Sequence, residues 1–507
     1  MTSYDTSHWA KIIGRPAVRI GLALAAVSVV AALALNWLQD LLVSLDGIWT
    51  VVVGATLLLV ACLLSTSAKH QGYCRASFKP ALVIWIFLLI SEEVFSRGGG
   101  DAESAFQERF SVAAYGEVSM WILALLILLI LSVKGPPYLR YMFSGQYKFV
   151  WVFGLMCLSS AVYSPRPLFS AAWAFKLCLV ILLLAICSGF IQDECDLAAF
   201  VRATFWACFI LVAVAVWKAF ADPSTGFEGG RLGESPTSLS VIAGVLLVLS
   251  FTLRFSVAPG SRLIYHAAAV IASVVMILSG GKAGIVGGLL SAILFFLLKR
   301  KFGSALSMLS GIVGLGVLLL LVSTPLQSYF DTYGASTQVD SLTGRTDLWV
   351  AALPAIGQSP VLGHGYMASK FVSIQLEGVR WEASHLHNAF LEVLYNNGII
   401  GFLLLLLINV FIINNLLSII RRSAVRRELW EIAAGLFAVY ANLLVNAFFN
   451  AIIGGRPGSL FMIFLAVFAL SDRLQKGLPQ NSGCRAQPDE SGRSAWSQDY
   501  SNSAGQT

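Results

Sequence analysis

Charged side chains are scarce in this chain of 507 residues: Asp, Glu, Lys and Arg make up only 12% of it, against roughly a quarter in an average soluble domain. Hydrophobic residues make up 57%. The charges fall in short gaps between apolar runs of about 17–23 residues, the length that a helix needs to cross about 30 Å of hydrocarbon. A water-soluble fold is therefore excluded. Because backbone polar groups must be paired inside lipid, the runs must be helices.

Three further absences narrow the class. None of the eight cysteines falls in a loop predicted to face outwards, which excludes a disulfide framework in an exported domain. No segment resembles a nucleic-acid-binding module, so the formal net charge of +7 is attributed to cytoplasmic loops that meet anionic lipid. The first apolar run, 17–37, lacks a small-residue cleavage site after a short core. It therefore predicts a retained span rather than a cleavable signal peptide.

The hydropathy pattern predicts an all-α polytopic integral membrane protein with about 12–14 transmembrane helices and one large outside loop. Lys and Arg recur in alternate gaps between the apolar runs, and the positive-inside rule then places both termini in the cytoplasm. We expect a membrane domain over 1–472, the large loop over 324–386 and a disordered cytoplasmic tail over 473–507. The predicted spans lie near 17–37, 48–65, 80–96, 117–133, 149–164, 169–190, 199–219, 236–255, 262–279, 283–299, 303–323, 398–418, 429–449 and 457–472.

The large loop contains local signals of its own, and loops of this length are uncommon without a function. Residues 344–353 predict a short helix, and residues 360–366 predict a glycine-rich turn. The loop ends at His387 and Asn388, just before a predicted span. A histidine near its ordinary pKa can accept a proton from a hydroxyl group, so this pair indicates where chemistry takes place.

Several cations lie on the predicted outside face, where the positive-inside rule does not account for them. They include Arg231, Lys282 and Arg345. Guanidinium groups bind diphosphate with paired hydrogen bonds and keep their charge at any working pH. Such a set suits an anionic substrate carried by a membrane lipid. An alternative is that the long side chains only snorkel to lipid headgroups and that Asn388 only caps a helix.

The run His387-Asn388, nine residues, Gly398, two residues, Gly401 resembles the signature of the O-antigen ligase and O-antigen polymerase family of bacterial cell-surface glycan enzymes. The resemblance covers about residues 225–420. One position departs from it: Lys282 stands where many members carry arginine, and lysine cannot form the paired hydrogen bonds of a guanidinium. Other segments similar to those of the family occur in the same order along the chain, at 230–237, 278–284, 344–349 and 360–365.

The resemblance implies a GT-C-like glycosyltransferase of the bacterial inner (cytoplasmic) membrane that inverts the anomeric carbon, needs no metal or other cofactor, and faces the periplasm. The implied donor is a glycan repeat unit on undecaprenyl diphosphate. His387 would be the general base, and Arg231, Lys282 and Arg345 would bind the diphosphate. Four further residues are expected to assist or lie beside them: Asn388, Asp347, Glu392 and His385.

Three activities remain open at this point. A polymerase would use another lipid-linked glycan as acceptor, and a ligase would use lipid A core. A transporter or flippase of lipid-linked glycans should carry charges along a central cavity, but few charges fall inside predicted spans. They are Lys176, Glu92 and Glu93. We expect membrane lipid as a partner, with a chain-length regulator and a separate flippase in the case of a polymerase, and no nucleic acid.

Overall fold

The protein is described by a computed structural model that covers residues 78–95, 145–221, 227–228, 231–232, 236–254, 262–322, 345–371, 385–422 and 426–477. Over these residues the chain forms helix after helix. In chain order they are α1 (Phe78–Phe95), α2 (Tyr147–Ser159), α3 (Pro167–Phe190), α4 (Glu194–Ala221), α5 (Pro236–Arg254), α6 (Arg262–Leu278), α7 (Lys282–Leu298), α8 (Phe302–Val322), α9 (Arg345–Gln358), α10 (Ala389–Arg421), α11 (Arg427–Ala447) and α12 (Ser459–Gln475).

Only small elements interrupt the helices. Two-residue strands β1 (Phe227–Glu228) and β2 (Arg231–Leu232) pair antiparallel, with Glu228 opposite Arg231. Short 3-10 helices lie at Ser160–Val162 and Ala368–Phe371. Every predicted span that falls on described residues coincides with one of the helices α1–α8 or α10–α12. The predicted spans at 17–37, 48–65 and 117–133 lie outside the described residues.

The membrane class is confirmed by helix length and composition. Five helices, α3, α4, α5, α10 and α11, are long and apolar enough to cross a membrane, and five shorter apolar helices accompany them. Helix α3, with 24 residues and a mean hydropathy of 2.3 in its most apolar stretch, would span about 36 Å at 1.5 Å per residue. The chain is therefore an all-α polytopic membrane protein. Helix α12 continues to Gln475, so the first residues assigned to the tail are helical.

Helix α5 lies at the centre of the bundle, where 83% of its apolar stretch is buried. It approaches α7 and α11 closely because the facing residues are small. A side chain added at Gly244 would lie 2.8 Å from Nδ2 of Asn442 and 3.0 Å from Cα of Gly288. Gly284 likewise faces Ser240. The glycines of α7 thus allow close helix packing, as is usual where helices have no hydrophobic drive to associate.

Different interactions stabilise the two ends of the helix bundle. One end, called here the histidine end, contains the start of α10 beside the end of α11, where Nδ2 of Asn388 donates to the carbonyl of Phe448 at 3.1 Å. At the opposite end, ion pairs join Lys299 to Glu431 and Arg426 to Glu194, both at 2.9 Å. Lys299 and Arg426, which lie in gaps predicted to face the cytoplasm, are therefore at the opposite end from His387.

The close approach of α5 and α7 gives a first prediction. Gly244→Val should force these helices apart, because the new side chain meets the backbone of Gly288. Overpacking of this kind costs about 1–3 kcal/mol, so the temperature at which the detergent-solubilised protein aggregates should fall. Gly314→Val in α8 is the matched control, since nothing lies within 4 Å of a Cβ there. Equal melting of the two variants would contradict the packing argument.

Candidate functional site

The helix that carries the predicted signature begins earlier than the hydropathy predicts. The expected span is 398–418, but α10 begins at Ala389, immediately after His387 and Asn388. The Oδ1 atom of Asn388 accepts hydrogen bonds from the backbone amides of Phe390 at 3.0 Å and Leu391 at 3.1 Å. Asn388 is therefore an N-cap, as the alternative interpretation anticipated. It also fixes α10 to the end of α11 through Phe448.

A break at Gly398 divides α10 into two halves. Gly398 has φ 61° and ψ −167°, a conformation that L side chains rarely adopt. The carbonyls of Tyr395 and Asn396 consequently lose their helical partners. They accept instead from the amides of His364 at 2.9 Å and Gly365 at 2.8 Å. The predicted glycine-rich turn thus satisfies the end of the first half-helix.

The same turn also satisfies the start of the second half-helix. The amide of Ile399 donates to the carbonyl of Pro360 at 2.8 Å, and the amide of Ile400 to the carbonyl of Val361 at 3.5 Å. A Cβ at Gly398 would overlap the carbonyl of Val361. Helix and turn therefore exchange backbone hydrogen bonds in both directions, which fixes the large loop to α10.

Beyond the turn, the loop is held on two more sides. The hydroxyl of Tyr366 donates to the carbonyl of Gly455 at 2.5 Å, and its amide donates to Oγ of Ser160 at 2.8 Å. The hydroxyl of Ser170, in α3, donates to the Tyr366 carbonyl at 2.6 Å. Tyr366 is fully buried. The segment that follows Tyr366 includes Lys370. Its position is therefore fixed by α3, by α10 and by the segment that precedes α12.

Two histidines lie against each other in front of α10. The rings of His385 and His387 have centroids 3.9 Å apart at an interplanar angle of 39°. The residue between them is fixed to α9, because Nε1 of Trp349 donates to the carbonyl of Leu386 at 2.9 Å. His387 has φ 51°, in the left-handed region that a few non-glycine residues occupy, usually at functional or turn positions.

The surroundings keep both imidazoles neutral at neutral pH. Burial, and then the positive charge of Arg345, lower the pKa of His387 to about 4. Burial lowers the pKa of His385 well below its usual value, and His387, Lys370 and Arg345 lower it further. A neutral imidazole has one nitrogen lone pair that can accept a proton. The pair is thus in the protonation state that a general base requires.

Two cations face the histidine pair. Arg345, predicted from the sequence, is the first residue of α9 and is largely buried, which lowers its pKa. Lys370, in the 3-10 helix of the loop, was missed by the sequence reasoning. Among the described residues, no carboxylate lies within ion-pair distance of either cation. Lys370 satisfies the criterion that singled out Arg345, a cation on the outside face that the positive-inside rule does not explain.

Glu392 lies in the first turn of α10, buried to 2% exposure. Its carboxylate accepts hydrogen bonds from the Ser369 hydroxyl and from the backbone amide of Leu386. The positive end of the helix dipole favours an acid at this place. Asp347, the other acid predicted to assist, is exposed on α9. Over the described residues no hydrogen bond joins it to the histidines.

The structure locates the other two predicted diphosphate ligands less precisely. Lys282 is the exposed first residue of α7. It lies at the histidine end, since Gly287, further along α7, faces Asn446 near the end of α11. Arg231 lies in β2 opposite Glu228, and its side chain is outside the described residues. In the part of the chain that the structure covers, no group of three His, Cys, Asp or Glu side chains is arranged to hold a metal ion.

Known proteins are similar to this region of the chain. Residues 267–406 match the family described as O-Antigen ligase, so the resemblance to the O-antigen ligase and polymerase superfamily is confirmed. The matched residues include Lys282, Arg345, His387 and the break at Gly398. Together with the apolar helices, the match makes this a multi-pass membrane protein with the features of a family that acts in cell-surface polysaccharide synthesis.

Two relatives match parts of the chain. An uncharacterized protein of Haemophilus influenzae is 27% identical over 199 residues, which cover 35% of this chain and 48% of that protein. The exopolysaccharide production protein ExoQ of Rhizobium meliloti is 34% identical over 83 residues, which cover 15% of this chain and 19% of ExoQ. The chain thus spans about half of the first relative and about a fifth of the second.

The exchange of hydrogen bonds at the helix break gives a second prediction. Gly398→Ala places a side chain at positive φ and against Val361, which costs about 1–3 kcal/mol. The turn should detach from α10, and amide hydrogen exchange over 359–371 should rise about tenfold or more. Gly357→Ala, at the end of α9, is the control because nothing lies within 4 Å of a Cβ there. Unchanged exchange in Gly398→Ala would show that the turn does not depend on the break.

Proposed function

We propose that this protein is an inverting, metal-independent glycosyltransferase of the bacterial inner membrane. It takes a glycan repeat unit from undecaprenyl diphosphate and adds it to another lipid-linked glycan at the periplasmic face, and so polymerises an exopolysaccharide or O-antigen. The observation that carries the proposal is the neutral histidine pair beside Arg345, a cation without a carboxylate partner among the described residues. A base and an anion-binding group thus lie together at the end of a membrane helix.

The chemistry follows from these groups. The acceptor hydroxyl gives its proton to the imidazole of His387 as its oxygen bonds to the anomeric carbon of the donor sugar. On the opposite side of that carbon the bond to the diphosphate oxygen breaks, and its electron pair leaves with the diphosphate. A single displacement inverts the anomeric carbon. Arg345, Lys282 and Arg231 would bind the diphosphate as negative charge develops on it.

Substrate binding would prepare the base. In the free protein, burial and Arg345 hold the pKa of His387 at about 4, so the imidazole is neutral but weakly basic. A bound diphosphate brings negative charge close to the cations, which raises the pKa of a neighbouring histidine towards neutrality. General base catalysis is most effective when that pKa lies near the working pH. The donor thereby strengthens the group that deprotonates the acceptor.

The names of the relatives support two acceptors. The partial similarity to ExoQ, an exopolysaccharide production protein, favours a polymerase. The description of the matching family, O-Antigen ligase, favours transfer to lipid A core. We give priority to the polymerase. A flippase and a chain-length regulator would then be its partners, because repeat units must reach the periplasm and the product must end at a defined length.

The assay that tests the function uses purified protein in detergent with an undecaprenyl-diphosphate-linked repeat unit as the only substrate. A ladder of longer lipid-linked glycans is expected. His387→Asn should reduce its rate by about 10²–10⁴-fold, because an amide cannot accept the proton although Asn tolerates the left-handed backbone. His266→Asn, at an exposed position of α6, is the control and should keep the wild-type rate.

The outcomes of this assay separate the alternatives. Products that form only when lipid A core is added would make the protein a ligase. Absence of transfer with either acceptor would reject glycosyl transfer and leave transport of lipid-linked glycans. Full activity in His387→Asn would reject the general-base role.

The low pKa of His387 predicts an unusual pH profile. The ratio kcat/KM reports the free enzyme, so it should stay flat from pH 7 to about pH 5 and fall only as the pH drops through the pKa of about 4. The constant kcat reports the complex and should fall at a higher pH, because bound diphosphate raises the pKa. Initial rates over a pH series measure both. A fall of kcat/KM centred near 6.5, the ordinary value for histidine, would contradict the buried cationic environment.

A further inference from the structure

Lys370 is held in an environment that disfavours its charge. Burial, and then the neighbouring Arg456, lower the pKa of its ammonium, and only Glu392 raises it. Among the described residues, its ammonium makes no hydrogen bond and no ion pair with a carboxylate. Partial burial of an ammonium without a partner is unfavourable unless an anion offsets its charge. A cation is retained in such a position when its charge has a function, such as binding an anion.

The loop around Lys370 is fixed by two residues one turn apart in the first half of α10. The amide of Ser369 donates to Oδ1 of Asn396 at 2.7 Å, and Nδ2 of Asn396 donates to Oγ of Ser369 at 3.0 Å. The Ser369 hydroxyl in turn donates to the carboxylate of Glu392. Glu392 and Asn396 lie on the same face of the helix. Both contact Ser369, and they therefore fix the backbone position of the next residue, Lys370.

Glu392 also reaches the histidine segment. Its carboxylate accepts from the backbone amide of Leu386, the residue between His385 and His387. One buried carboxylate therefore joins the turn that carries Lys370 to the segment that carries the candidate base. A movement of either part relative to the other would break one of the two hydrogen bonds.

We propose that Lys370 binds a phosphate of the lipid diphosphate, and that Glu392 is the positioning residue that fixes Lys370 relative to His387. The identity of the lipid rests on the proposed function, whereas the anion site rests on the contacts around Lys370. An ammonium is a compact charge with three donors and suits a phosphate oxygen. With Lys370 in place, a diphosphate beside the histidine pair would meet two cations, Arg345 and Lys370.

The charged and titratable groups around Lys370 come from four segments. Glu392 lies on α10 and Arg456 precedes α12, where its guanidinium lies over the ring of Trp173 at 4.7 Å. Lys370 and Arg345, the first residue of α9, both act on His385. Glu392 is the only acid among these groups, so it alone favours the charged form of Lys370.

The binding test uses undecaprenyl diphosphate without a glycan and needs no transfer activity. The purified protein is placed in nanodiscs of phosphatidylcholine, and the affinity is measured by titration for the wild type, Lys370→Met and Lys370→Arg. Lys370→Met should weaken binding at least about tenfold, the equivalent of about 1.4 kcal/mol, and Lys370→Arg should retain most of it. Lys301→Met, an exposed lysine at the opposite end, is the matched control and should bind as the wild type does.

Three outcomes would overturn the site. Unchanged affinity in Lys370→Met would remove Lys370 from it. Equal weakening for undecaprenol, which has no phosphate, would show that the variant disturbs the fold. Equal binding of phosphatidylglycerol at the same position would assign it to lipid headgroups. If the wild type binds the diphosphate but transfers no glycan, the proposed function is rejected and the anion site is retained.

A pH series tests the positioning residue. Glu392→Gln can still accept hydrogen bonds from Ser369 and Leu386, but it removes the negative charge that raises the pKa of Lys370. Lys370 then loses its proton at a lower pH, so the alkaline limit of diphosphate binding should shift downwards. In the Lys370→Arg background the same change should cause no shift, because a guanidinium stays protonated. An unshifted alkaline limit in Glu392→Gln alone would overturn the electrostatic effect of Glu392 on Lys370.

Discussion

In hydrocarbon a helix cannot break unless another segment pairs with the amides and carbonyls that the break releases. Gly398 breaks α10, and the turn at 360–365 supplies the missing partners on both sides. This exchange converts a long loop into a fixed part of the membrane domain. It also creates a half-helix that begins at the capped residue Asn388, with its positive dipole end directed at the candidate site. The position of the turn that precedes Lys370 depends on this exchange.

The electrostatics of the site follow from this arrangement. The loop brings Arg345 and Lys370 to the histidine pair and buries them with it. Nearby positive charge and burial both disfavour protonated imidazole, so the histidines are neutral while the cations remain charged. One buried acid, Glu392, sits among them. A site of this composition is short of negative charge, and a diphosphate would supply that charge at the place where a leaving group must be stabilised.

The part of the chain that matches the O-antigen ligase family, 267–406, contains the break and the loop. Elements outside it complete the site. Tyr366 is held by Ser160 and Ser170 before the matched region and by Gly455 after it. The loop that carries Lys370 thus depends on α3 and on the segment before α12.

Hydropathy alone was enough to predict the helical class and every span that falls on described residues, because lipid imposes length and apolarity on each span locally. Local signals also predicted the helix near Arg345 and the glycine-rich turn, and they offered the cap at Asn388 as an alternative. The start of α10 at Ala389 was missed, since a hydropathy window excludes a first half-helix that contains Glu392, Asn396 and Asn397. Lys370 and its link to Glu392 depend on segments that meet only after folding. Composition along the chain determines which segments enter the membrane, whereas backbone hydrogen bonds between distant segments decided which charges meet.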